Sequence, residues 1–254
     1  MTFEYGQTVR HPKENWWKKP KKQAHSQVFS TVEYLDQVQQ SRRDGFLRSL
    51  RQYSNRMSYD FTGSGFDAAQ NSQARINLNV TKACIDTAVA HMGTNRTRPK
   101  YLTRNGNYEQ IQKAKNLDKF MLGQFMRMNR YVTALPIFRD GAVFGPGIEK
   151  FYEHPMEKGL ICSERMFPDE LVFDSDESAF TMPRTTYQVK SSVNKHLLAE
   201  LYPKHAKAIL AARSIRELND HRTGVEDLCT VIEAWHLPSY RKASDGRHVI
   251  CVSG

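Results

Sequence analysis

Long apolar runs are missing from this sequence. Nothing approaches the roughly 18 consecutive apolar residues that a membrane span needs. The opening stretch, MTFEYGQTVRHPKENWWKKPKK, has no apolar segment of the kind found in a secretory signal. The expectation is a chain made in the cytosol, with no membrane partner. Cysteine is scarce: Cys84, Cys162, Cys229 and Cys251 lie far apart, without a CxxC pair or a histidine at zinc-finger spacing. That argues against a structural zinc and for reduced thiols. Phosphate-cradling loops are missing too, since neither GxxxxGK[ST] nor GxGxxG occurs. Gly63-Ser64-Gly65 lacks a third glycine, and Gly145-Pro146-Gly147 runs into a strand-like stretch without a lysine. The 9 histidines form no HExxH and no pair four residues apart on one helix, and no serine or cysteine sits in an elbow motif. The sequence therefore does not read as a self-contained enzyme, and no cofactor is expected.

What is present is a folded, basic chain. Its 254 residues are 39% hydrophobic and 11% aromatic, enough for one large core or two modest ones. A charged fraction of 25% with a mean hydropathy of -0.64 suits a surface that meets partners. Lys plus Arg number 37 against 27 Asp plus Glu, a net charge of +10, which favours polyanions through counterion release and long-range attraction.

The charges are segregated. Residues 75–130 carry eleven basic side chains against Asp86, Glu109 and Asp118, whereas residues 149–180 carry nine acids against Lys150, Lys158 and Arg165. A head-to-tail oligomer uses such segregation by setting one subunit's basic face on its neighbour's acidic face. Two solvated faces of one monomer fit equally well. On the first reading, Arg96, Arg98, Lys100 and Arg104 on the basic side, with Asp174, Asp176 and Glu177 on the acidic side, are candidate subunit-interface residues.

Along the chain, residues 1–25 mix Trp16 and Trp17 with Lys13, Lys18, Lys19, Lys21 and Lys22, interrupted by Pro12 and Pro20. The prolines predict an extended arm. Its lysines suit phosphates while its rings stack on bases, or the two tryptophans anchor the arm in a groove on a neighbouring subunit; anchoring is preferred. Trp16, Trp17, Lys18, Lys19, Lys21 and Lys22 are thus candidates for contact with nucleic acid or a protein shell.

Helical spacing over 26–58, with a possible break at Asp44-Gly45, predicts short helices within 26–62. The Thr62-Gly63-Ser64-Gly65 stretch begins a flexible joint over 63–74, and a mixed domain occupies 75–254. In that domain Asn79 or Thr81 caps a helix ending near Gly93, 99–103 is a short strand after Arg98-Pro99, and Tyr108 starts the strongest helical pattern. The Met and Phe stripe of that helix, including Met121, Phe125 and Met128, is expected to be ordinary core. After a second helix around Pro136 the pattern turns to strands at 148–153, 159–167 and 170–174. It continues with a strand at 187–190, a helix over 193–213 interrupted near Pro203, and a hairpin of 228–237 with 247–252 around Ser244-Asp245-Gly246. Helices and strands come in runs, which predicts an α+β fold of helices and short antiparallel strands.

The acidic run Asp174-Ser175-Asp176-Glu177 is the best candidate for a divalent cation, because hard cations take several carboxylate oxygens. It lacks EF-hand spacing, and a solvated turn or an intersubunit contact explains it more simply.

From Arg75 onward the order of segments resembles the N-terminal half of tailed-bacteriophage portal proteins. The resemblance rests on INLNVTKACIDTAVAHMGTNRTRPKYLT at 76–103, LPIFRDGAVFGPGIEKFY at 135–152, and MFPDELVFDSDESAFTMPRTTYQV at 166–189. LLAELYP at 197–203 and VIEAWHLPSY at 231–240 follow in the same order. It implies the arm and much of the outer wing of a dodecameric ring at one vertex of a virion, assembled in the host cytoplasm. Double-stranded DNA would pass through such a ring during packaging and ejection. The major capsid protein, the terminase large subunit and tail adaptor proteins would be its partners, and ATP would be consumed by the motor and not by the ring. Stem, clip and crown segments would lie beyond Gly254, and ending directly after the apolar strand Val249-Ile250-Cys251-Val252 agrees with a longer chain. The alternatives are a nucleic-acid-processing enzyme or accessory factor with a carboxylate metal site, and a capsid or tail adaptor without a DNA channel.

Overall fold

A computed structural model describes residues 15–54, 78–154, 157–179, 181–212 and 227–252. The fold is α+β, with two small antiparallel sheets. The chain divides into two compact units, one made of residues 1–43 with 169–254 and the other of residues 44–168. The joint expected at 63–74 lies outside the described residues. The first unit is discontinuous because the sheet built after residue 169 requires a helix from the start of the chain to cover it.

In that unit a 3-10 turn, Trp16–Lys18, leads into α1, Lys21–Val38. Residues 21–25, expected to be extended, form the first turns of α1. Pro20 occupies its N-cap, a place where a missing N–H costs nothing. The break after α1 falls at Gln39, not at Asp44-Gly45, and α2 runs over Gln40–Tyr53. Strands β3 (Leu171–Phe173), β4 (Thr185–Asn194), β5 (Leu228–His236) and β6 (Arg247–Val252) form a sheet in that order, all antiparallel.

Side-chain alternation splits this sheet between two helical layers. Val172, Tyr187, Ile232, Ala234 and Cys251 face α1 and pack with Trp16, Val28, Val32 and Leu35. Cys229 and Val231 share the opposite face with Leu198 of α7 (Lys195–Leu201) and Ile209 of α8 (Ala206–Leu210). One irregularity makes both faces apolar. A bulge between Lys190 and Val193 inserts an extra residue into β4, so that Val193 joins the α7 and α8 side although Tyr187 and Val189 point to α1. Pro203 separates α7 from α8, as expected, because proline has no N–H with which to continue the ladder.

The outer edge of β3 is sealed. Gln39 Nε2 donates to the Phe173 carbonyl and Arg42 Nη2 to the Leu171 carbonyl at 2.8 Å, so edge acceptors are taken by side chains instead of another strand.

The second unit contains α3 (Val80–Thr94), α4 (Tyr108–Arg127), α5 (Arg130–Phe144) and the hairpin of β1 (Ile148–Glu153) with β2 (Ile161–Met166). Asparagine starts both α3 and α4: Asn79 accepts from Lys82 N at 2.9 Å, and Asn107 from Gln110 N at 3.0 Å. The strand expected at 99–103 does not form. Its Tyr101 amide donates to Asp118 Oδ1 of α4 at 2.8 Å, a side-chain partner that replaces a ladder. Helix α5 packs against α3, α4, β1 and β2 and organises the unit. It ends at Gly145, with φ of 97°. Nearby Gly147 is obligatory, since a Cβ there would stand 2.3 Å from the Ile137 carbonyl oxygen.

Candidate interaction surfaces

Of the arm expected over 1–25, residues 1–14 lie outside the described residues, and the aromatic turn ahead of α1 is packed into the first unit. Trp16 is 1% exposed inside the first unit's core, and its Nε1 donates to Tyr187 Oη at 3.0 Å. Burial raises the Tyr187 pKa above its ordinary value, so this hydroxyl stays neutral and available as an acceptor. Trp17 lies flat on His236, with ring centroids 3.7 Å apart and planes 10° from parallel. The groove expected on a neighbouring subunit is therefore supplied by the same chain. Neither ring is free for stacking on bases, because each saves more by leaving water than an exposed position allows. Lys18 and Lys21 are exposed beside them, and Lys19 is half-buried. Arg247 Nη1 holds the turn down by donating to the carbonyls of Trp17 and Lys19. Lys13 lies outside the described residues, and the side chain of Lys22 is also outside them.

The acidic run is spent locally. Asp174 caps the short helix α6, Ser175–Ser178, by accepting from Asp176 N at 2.9 Å, and Glu177 Oε2 accepts from Thr185 N at 3.3 Å. Asp176 alone of the three carboxylates is fully exposed. Among the described residues no group of three His, Cys, Asp or Glu side chains is arranged to hold a metal. The carboxylates diverge because backbone amides compete for them.

A serine, a histidine and an aspartate do meet, but not as a nucleophilic relay. Ser239 Oγ donates to Asp245 Oδ2 at 2.5 Å and is 3.4 Å from His236 Nε2, while His236 Nδ1 meets Thr185 Oγ1 at 2.9 Å. A relay needs the carboxylate on the far nitrogen of the imidazole and a reachable hydroxyl on the near one. Here the carboxylate takes the serine proton itself, and the imidazole is 3% exposed.

In the second unit Arg96, Arg98, Lys100 and Arg104 are all exposed, continuous in sequence with the exposed Lys113, Lys115, Lys119 and Arg127 of α4. Arg96 also covers the Tyr131 ring at 5.5 Å. The apolar residues of α4 are not the closed core expected of them. Met121, Phe125 and Met128 of the expected stripe are half-buried and no residue of α4 is fully buried, while outside the stripe Tyr108, Phe120 and Met126 remain 74%, 55% and 53% exposed. Neither a family model nor a curated protein matches the chain.

What holds this unit is polar. Asp140 on α5 is buried and takes a bidentate pair from Arg165 of β2, at 2.5 and 2.6 Å. Arg130 at the start of α5 reaches Glu149 of β1 at 2.7 Å. Burial raises the pKa of Glu149, and the Arg130 charge opposes that rise. The sequence reading missed both pairs, as well as His236 and Arg247. A separation of 25 positions between Asp140 and Arg165 gives no local spacing that would have joined them.

Proposed function

We propose that this chain is the N-terminal portion of a subunit that works in many copies, and that the assembly is a portal-type ring at a capsid vertex. The observation that carries the many-copy reading is α4. It is a 20-residue helix with apolar side chains on more than one flank, yet α5 and its neighbours cover only part of them. Exposed apolar side chains gathered on one helix suit a surface that another protein covers. Charge segregation adds to this, with the exposed basic run from Arg96 to Arg127 set against the acidic stretch that follows. The portal reading is narrower and rests on the order of phrases from Arg75 onward.

In that reading the interface is apolar at its centre, on α4, and basic at its rim. Contacts with double-stranded DNA would go to phosphates and be independent of sequence, as passage of a whole genome demands. Capsid protein, terminase and tail adaptors would meet other surfaces of the ring. Negative-stain imaging of the longest soluble form of the protein tests the proposal. Ring-shaped averages with a central hole are expected. Small monodisperse particles, with magnesium-dependent cleavage of DNA, would instead favour a nucleic-acid enzyme.

A further inference from the structure

We propose that residues 15–19 are a clasp, closed over the first unit's sheet by the stack of Trp17 on His236, and that protonation of His236 opens it. The clasp has two fasteners of different kinds. Trp16 is sunk in the core and hydrogen-bonded to Tyr187. Trp17 is held by its flat contact with the imidazole and by Arg247 on its carbonyl, while its own buried indole N–H has no protein partner. An unsatisfied buried donor costs about 1–3 kcal/mol, so the second fastener is the weaker one.

The surroundings of His236 decide which protonation state the closed clasp accepts. Thr185 of β4 meets Nδ1, and Ser239 and Asp245, between β5 and β6, approach Nε2. Asp245 is the nearest carboxylate, 3.9 Å away, and is already engaged by the Ser239 amide at 2.9 Å and the Ser239 hydroxyl. Glu177 also favours the cation from a distance, whereas Arg184 and Lys18 disfavour it. Arg247 adds a further positive charge, on the β6 residue paired with His236. Burial outweighs the two carboxylates and lowers the His236 pKa below its ordinary value of 6.5.

The direction of the switch follows. A base whose pKa is lower folded than unfolded contributes its full stabilisation above 6.5, and loses it as pH falls from 6.5 towards the folded value. Acid therefore works against the closed clasp. Trp16 does not titrate with it, because Tyr187 stays neutral throughout that range. Opening swings Trp17 away from the sheet about the Trp16 anchor, exposing an indole beside Lys18 and Lys19.

The test is a pH titration of the full chain by NMR, following the His236 imidazole and the Trp17 indole together. Both are expected to move with one midpoint below pH 6.5. Trp17 signals that stay fixed while His236 titrates, or a His236 midpoint at or above 6.5, would overturn the proposal. Hydrogen exchange provides a second readout. The Lys18 and Lys19 amides, bonded to the Asn15 and Trp16 carbonyls, should lose about tenfold protection per pH unit in that window after correction for intrinsic rates. The substitution His236→Phe keeps a ring under Trp17 and should abolish this dependence. His248→Gln, which removes the separate stack of His248 on Trp235, should preserve it. The opposite result with either variant contradicts the clasp.

Discussion

The two units of this chain spend their residues differently. Residues 15–43 and 169–252 build a sheet with α1 on one face and α7 and α8 on the other, and almost every buried apolar side chain among the described residues belongs to them. Among the described residues, 44–168 bury only the apolar side chains of Val89, Met166 and Pro168 to the same degree, and carry the Asp140–Arg165 and Arg130–Glu149 pairs. Buried polar atoms without a protein partner are concentrated there as well: Gln124 Oε1, Arg130 Nη1 and Tyr131 Oη, against Trp17 Nε1 alone in the first unit, among the described residues. A unit held by apolar packing stands by itself. On the proposed reading, the exposed apolar side chains of the second unit's longest helix are where neighbouring copies would pack.

Substitutions should separate the two regimes. The largest effect is expected from Trp16→Ala, which empties the centre of the first core and leaves the Tyr187 hydroxyl without its donor; a loss of about 3–5 kcal/mol should be measured by urea unfolding. Asp140→Ala comes next. It removes the bidentate carboxylate from Arg165, which is 44% exposed and hydrates readily, so a loss of about 3 kcal/mol, at the low end for broken buried pairs, is expected in the same assay. Phe120→Ala, of the same chemical kind as the Trp16 truncation but on α4, should cost under about 1 kcal/mol in the monomer. A cost near that of Trp16→Ala would erase the contrast between the units. The double substitution Leu117→Lys with Phe120→Lys should leave circular dichroism unchanged and abolish assembly, as sedimentation would show.

The smallest effect distinguishes the thiols without altering the fold. Burial raises Cys251 to about 11 and also raises Cys229, whereas Cys84 is exposed on α3. Timed alkylation read by mass spectrometry should label Cys84 first and the two sheet cysteines last.

Much of this contrast was open to reading in the sequence, though not its decisive part. The Asn79 cap, the helix start at Tyr108, the span 148–153 and the hairpin around Ser244-Asp245-Gly246 carry local signals, and local signals survive folding. Trp16 was misplaced because lysines and prolines around it look like a solvated arm, while the sheet that buries it is built from residues more than 150 positions later. The apolar stripe of α4 reads as core in any periodicity analysis, since period reports which side chains should be buried and not by what. Strand 99–103 failed for a related reason: the Arg98-Pro99 step makes a chain extended, but a strand also needs a partner, and Asp118 took the Tyr101 amide. The β4 bulge, which turns Val193 to the second core, leaves no mark in composition at all.

The most direct test of the central claim, that this chain works in many copies through an incompletely covered helical unit, is native mass measurement of the longest soluble form beside its Leu117→Lys, Phe120→Lys variant. The account predicts a closed oligomer of about a dozen copies for the former and monomer for the latter. A folded monomer in both cases, at concentrations where rings should form, would contradict it.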